Sequence, residues 1–158
     1  MFKLLFLLCI VVNNFQVNEA SRCPSGWTYL RQSCYYFSTT KTTGSKAILE
    51  CQRMGGYLAF PKNLVENNAI YSAAKRKNLQ NPFIGLFRNK DDKKFYTMQH
   101  VLPTFINWAS DEPNNLGNKE NCVHFYPKGK WNDVPCYFSY HYICQSKPTS
   151  LKCHCTCE

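Results

Sequence analysis

Ten cysteines in 158 residues constrain this chain more than any other feature. That density suits an oxidising compartment, where cross-links supplement a modest core. The N-terminus agrees with it. Lys3 precedes the apolar run Leu4 to Val12, and polar residues follow as far as Ala20. Nine apolar residues are too few to span a bilayer. Residues 1–20 therefore read as a signal peptide, and the mature chain as secreted, with no transmembrane anchor. Ten cysteines less Cys9 of the leader leave nine: Cys23, Cys34, Cys51, Cys122, Cys136, Cys144, Cys153, Cys155 and Cys157. An odd number means that at least one is free or bonded to another molecule.

Residues 21–147 read as one domain, and 148–158 as a cysteine-rich C-terminal tail with too few apolar residues for a core. "CPSGWTYLRQSCYYF" reads as a hairpin of Trp27–Leu30 and Ser33–Phe37, which a Cys23–Cys34 bridge could close. "SKAILECQRMGG" reads as a helix, with Ala47, Ile48, Cys51 and Met54 on one face and Gly55–Gly56 as its stop. A second helix begins at Asn63, where Glu66 three residues on completes a capping arrangement. It ends in Lys75–Arg76–Lys77, cations that suit the helix C-terminus. Pro82–Phe87 reads as a short strand. Residues 88–117 read as one long irregular stretch, and loops of that length are usually functional or disordered. Short strands around "CVHFY", "KW" and "YHYIC" close the domain. Two early helices with strands toward both ends indicate an α+β class.

The net charge of +9 gathers at Lys75–Lys77 and in Arg88–Lys94. It reads either as attraction to anionic surfaces or as a solvated basic face. The export signal and the lack of a groove-binding motif argue against nucleic acid. His100, His124 and His141 have no zinc spacing. No nucleophile elbow, H-E-x-x-H or phosphate loop occurs. Glu112 and Glu120 as a glycosidase pair fit less well than as cation ligands, so no enzymatic activity is expected.

Two segments, "DEPNNLGNKENC" and "WNDVPC", carry the chemistry. Glu112, Asn114, Glu120, Asn132 and Asp133 offer three carboxylates and two amide oxygens. Mixed oxygen donors of this kind suit Ca²⁺, which takes six to eight oxygens. The alternative is a hydrophilic surface loop with incidental acids. A Cys122–Cys136 disulfide would tether the two ligand segments. Pro113 would stiffen the first, with a cis peptide bond as one form open to it.

Glu112–Pro113–Asn114, Glu120–Asn121–Cys122 and Trp131–Asn132–Asp133, with "CPSGW", "MGGYLA", "FIGL" and "YHYIC" in order, resemble the C-type lectin domain. The resemblance runs from about Cys23 to Gln145 and is nearest to the long-form, mannose-type domains of soluble mannose-binding lectins. It implies the C-type lectin fold, stapled by Cys23–Cys34, Cys51–Cys144 and Cys122–Cys136. It also implies one calcium ion, held by the five site residues, that binds two vicinal hydroxyls of a sugar. The E-P-N order implies mannose-type glycans (mannose, N-acetylglucosamine, fucose class), with microbial surface polysaccharide and innate immune recognition as one setting. An auxiliary calcium site would fall on Arg88, Asp92, Asn115, Asn121 and Glu120. Arg88 and the two amides weaken it, and Arg88 is expected to pair with Asp92 or Glu120 instead.

A protein-binding module of the same fold and a basic membrane-active secreted protein are the competing readings. Cys153, Cys155 and Cys157 lie outside the implied disulfide set. Interchain disulfides giving a homo-oligomer are expected there; metal binding with His154 and a free, proteolysed tail are the alternatives.

Overall fold

A computed structural model describes residues 23–149. The signal-peptide reading of 1–20 and the three tail cysteines fall outside the described residues. Within them, ten short strands and two helices alternate with irregular chain.

Strands β1 (Thr28–Leu30) and β2 (Ser33–Phe37) form the expected hairpin. Both turn residues, Arg31 and Gln32, take positive φ, as a tight two-residue connection demands. β2 pairs with the C-terminal strand β10 (Ile143–Ser146), and β10 with β4 (Tyr57–Leu58). The two ends of the domain therefore lie side by side in a sheet ordered β1-β2-β10-β4. β3 (Thr42–Thr43) pairs with β9 (Ser139–Tyr140).

Helix α1 (Gly44–Arg53) buries Ala47 and Cys51 at helical spacing. Helix α2 (Leu64–Arg76) buries Ile70, Ala73 and Ala74. The Asn63 side chain caps α2 by accepting from Glu66 N at 2.9 Å. The Glu66 side chain departs from a capping box: it accepts from Lys62 N at 2.8 Å and from the Tyr35 hydroxyl.

The second large sheet runs β6-β5-β7-β8, from β5 (Phe83–Arg88), β6 (Phe95–Thr97), β7 (Glu120–Phe125) and β8 (Trp131–Pro135). β6 is a short regular element within the largely irregular stretch 88–117. It is three residues long, and its pairing with Leu86–Arg88 supplies what local sequence does not signal. Strand β5 carries Gly85, where a Cβ would sit 2.1 Å from the Leu58 carbonyl oxygen. That close approach, which only glycine permits, joins this sheet to the terminal one.

Among the described residues there are three disulfides: Cys23–Cys34, Cys51–Cys144 and Cys122–Cys136. Cys51–Cys144 spans 93 residues and ties α1 to β10. By the chain-entropy model such a loop contributes about 4–5 kcal/mol. Cys122–Cys136 joins β7 to the residue just beyond β8. The Gly44 amide at the start of α1 donates to Cys136 O at 2.8 Å.

Candidate functional site

The long loop between β6 and β7 is ordered because its backbone groups find partners. Trp131 N donates to Asn107 O and Ala109 N to Trp131 O, both at 2.9 Å, so this stretch runs beside β8 as a one-bridge parallel pair, Trp108 with Trp131. The Trp131 ring is fully buried and meets Phe60, Phe105 and Trp108 edge-on. Its indole N–H donates to Asn67 Oδ1 at 2.8 Å. A fixed Trp131 fixes the two residues after it, Asn132 and Asp133.

Further along, the loop turns on residues for which left-handed backbone is least costly. Asp111, Asn115, Gly117 and Asn118 all have φ between 50° and 64°. The amides of "NNLGN" therefore have a backbone reason as well as a chemical one. The Glu112–Pro113 peptide is cis.

Three of the five expected site residues, Glu112, Asn114 and Asp133, are joined directly by hydrogen bonds, and Glu120 is linked to them through the Leu116 amide, which it shares with Asn114 Oδ1. Asp133, fully buried, accepts from Asn114 N at 3.1 Å on Oδ1 and from Asn115 N at 3.0 Å on Oδ2. Glu120, also buried, accepts from Leu116 N at 2.7 Å. Half-buried Glu112 accepts from Asn114 N and Asn114 Nδ2, both at 3.1 Å. The fifth residue, Asn132, is different. It stands next to Asp133 on β8, and its Oδ1 is buried with no hydrogen-bond partner. No hydrogen bond joins it to the other four.

Glu112 and Glu120 stand where ionisation is disfavoured. Burial, then the hydrogen-bonded carboxyl of Asp133, push Glu112 up to about 7; the Asn114 amide pulls the other way, and the charges of Asp133 and Glu120 add to the rise. Burial also raises Glu120, against the opposing pull of the Leu116 amide and the Arg88 charge. Among the described residues no three His, Cys, Asp or Glu side chains form a metal cluster by themselves. A cation here would need the amide oxygens too.

Residues expected at the auxiliary position are otherwise engaged. Asp92 accepts from the Tyr96 hydroxyl at 2.6 Å and from Lys94 N at 3.1 Å. Asn115 Oδ1 accepts from Glu120 N at 3.2 Å. Arg88 corrects the expected pairing. Its carboxylate partner is Asp133, at 2.5 Å from Nη2, and it reaches Glu120 only through the backbone carbonyl, at 3.1 Å from Nε. No local signal announces that contact, since 45 residues separate the two. The Leu116 amide, which neutralises part of Glu120, is likewise invisible to side-chain reasoning.

The basic clusters lie largely in solvent. Lys75, Arg76, Lys93 and Lys94 are exposed, and the Lys77 ammonium sits 5.6 Å from the Phe37 ring centroid. Among the described residues no helix is long and apolar enough to cross a membrane.

Residues 40–146 match the family model of the lectin C-type domain, more than half of the chain, so the chain belongs to the C-type lectin domain family. It is 28% identical to hepatic lectin of Gallus gallus over 140 residues, which are 84% of this chain and 66% of that protein. It is 35% identical to collectin-11 of Bos taurus over 100 residues, 63% of this chain and 38% of that protein. The chain thus spans roughly two fifths to two thirds of the length of these relatives. Among solved structures, the cow CD23 carbohydrate-recognition domain, determined with a GlcNAc2Man3 oligosaccharide, superposes with a TM-score of 0.72 at 30% identity, covering 81% of this chain and 98% of that one. A calcium-independent type II antifreeze protein superposes with a TM-score of 0.69 at 25% identity, covering 80% and 95%. The family's defining activity is carbohydrate binding, not catalysis.

Proposed function

We propose that the chain is a secreted, calcium-dependent lectin for mannose-type glycans. The observation that carries this reading is the hydrogen-bonded group Glu112, Asn114 and Asp133, with Glu120 linked to it through the Leu116 amide, beside Asn132, whose buried Oδ1 lacks a donor. A buried acceptor left unpaired is costly unless a ligand completes it. The donor set, three carboxylates and two amides, suits a hard oxygen-seeking ion.

Glu112, Asn114, Glu120, Asn132 and Asp133 would hold calcium, which when bound supplies coordination positions for a pair of vicinal sugar hydroxyls. The protein groups divide the rest of the recognition. Carboxylates only accept and amides can donate. Glu112 and Glu120 therefore accept hydrogen bonds from the hydroxyls, while Asn114 and Asn132 donate to the hydroxyl lone pairs. Glu112 and Asn114 already stand as an acceptor–donor couple 3.1 Å apart, the spacing that one hydroxyl can join. The E-P-N order places acceptor and donor for equatorial 3- and 4-hydroxyls, as in mannose or N-acetylglucosamine.

Residues 1–20 serve as the export signal, and Cys153, Cys155 and Cys157 link copies of the chain. A site that grips two hydroxyls binds a single sugar at roughly millimolar Kd, about 4 kcal/mol. Linked copies raise avidity by about 10²–10⁴ on a repetitive surface such as a microbial polysaccharide. Non-reducing gels of secreted protein should show oligomers that a chain truncated after Lys147 lacks. Calorimetric titration of the full chain with calcium, then with methyl mannoside, tests the site. Sugar heat only in the presence of calcium is the expected result; sugar heat unchanged by chelator would reject the reading.

A further inference from the structure

Arg88 stands at the end of β5, with its guanidinium 4.4 Å from the Phe95 ring centroid. Its side chain is 10% exposed, and Asp133, its partner, is 0% exposed. All three guanidinium nitrogens are used. Nη2 meets Asp133 Oδ2 at 2.5 Å, Nε donates to Glu120 O at 3.1 Å, and Nη1 donates to Lys93 O at 3.2 Å. One side chain thus joins β5, the segment before β6, β7 and β8. Asp133 passes the connection on, because its two oxygens also accept the Asn114 and Asn115 amides. The path Phe95–Arg88–Asp133–Asn114 runs from the sheet into the ligand loop without a break.

A buried charge is costly unless it is paired and hydrogen-bonded, and Asp133 has one cationic partner, Arg88. We propose that Arg88 is a tethered counter-ion for Asp133, pairing with an acid that the bound cation would also use and keeping the ion-free site assembled. This rests on the calcium reading above and adds a division of labour to it. The guanidinium and the ion share Asp133, so each is worth more when the other is missing. They also repel one another, so Arg88 holds the empty site together while weakening its grip on calcium. A planar fork with three separate partners has no equivalent in lysine, whose ammonium is a point charge.

The test is thermal unfolding of the full chain, wild type, Arg88→Met and Arg88→Lys, each in chelator and in saturating calcium. Methionine keeps apolar contact with Phe95 and removes the charge. In chelator, Arg88→Met should lower Tm by ~10 °C. In calcium the deficit should shrink to less than half, so the variant shows the larger calcium-induced rise. Arg88→Lys should fall between. A variant folded only in calcium would meet the proposal in its strongest form. Equal deficits in both buffers would show a packing role alone and overturn it, as would no deficit in chelator or failure to fold in both. The wild-type arm reports separately on the calcium reading: no calcium-induced rise there would reject that reading, whatever Arg88 does.

Discussion

Two buried acid networks lie in the same domain and differ in one respect. Around Glu66, every polar atom finds a protein partner. The carboxylate accepts from the Tyr35 hydroxyl and from Lys62 N at 2.8 Å, and Gln145 Nε2 donates to the Tyr35 oxygen at 3.0 Å. Gln145 Oε1 in turn accepts from Phe60 N at 3.2 Å. Around Asp133, one guanidinium pairs with one carboxylate, Glu112 is pushed up to about 7, and the neighbouring Asn132 Oδ1 has no partner. The first network is closed and belongs to stability. The second has more acids than cationic partners and an unused acceptor, as the proposed calcium site requires. Both use carboxylates at similar burial, Glu66 at 6% and Glu120 at 7% exposed, so burial does not separate the two networks; hydrogen-bond satisfaction does.

Breaking the open network should have the largest effect. Asp133→Ala or Glu120→Ala should weaken sugar binding by ~100-fold or more and abolish the calcium-induced gain in stability. At free calcium 100 times its Kd that gain is about 2.7 kcal/mol. Glycan binding and calcium-dependent melting of the same samples measure both. Breaking the closed network should act differently. Glu66→Leu strands the Tyr35 hydroxyl and Lys62 N–H, at a cost of about 3 kcal/mol. The loss should be the same with calcium or chelator, and the folded fraction should bind sugar normally. Denaturant unfolding in both buffers compares the two.

His124 adds a third, calcium-free contrast. It lies across the sheet from Asn132, stacks on Tyr140 and has an unpartnered Nε2. Burial pushes its imidazole down to about 4, against the weaker opposite pull of the Asn81 carbonyl. A depressed folded-state value means that the unfolded chain takes up the proton first. The stability is present above pH ~6.5 and is lost as pH falls toward 4, by at most about 3 kcal/mol. In chelator, His124→Phe should flatten that part of the pH–stability curve; an unchanged slope would show that other groups set it.

The smallest effect sharpens the open network rather than breaking it. Glu112→Gln with Asn114→Asp exchanges acceptor and donor while keeping the charge. It should turn preference from mannose toward galactose by about tenfold, or ~1.4 kcal/mol. Glycan-array profiles compare the two proteins. An unchanged profile would remove Glu112 and Asn114 from the specificity role.

The sequence announces what depends on neighbours along the chain. The Ser33–Phe37 hairpin strand, the Asn63 cap and the Gly55 stop are local chemistry, and each lies where expected. The site residues were legible for another reason: their spacing around Cys122 and Cys136 resembles a known pattern. Arg88–Asp133 was not, because the pairing depends on β5 and β8 flanking β7 in one sheet, a fact of topology. Strand β6 escaped because Phe95–Thr97 has no periodicity of its own and exists by pairing with β5. The Asn63 cap on Glu66 N lies where expected, while the destination of the Glu66 side chain is not local, since Tyr35, from a strand 31 residues away, donates to it.

Retention of the full secreted chain on immobilised mannan tests the central claim most directly. The account predicts binding in calcium, release by chelator at constant ionic strength, and renewed binding when calcium is restored. Retention that survives chelator and yields only to salt, or no retention with calcium present, would contradict it.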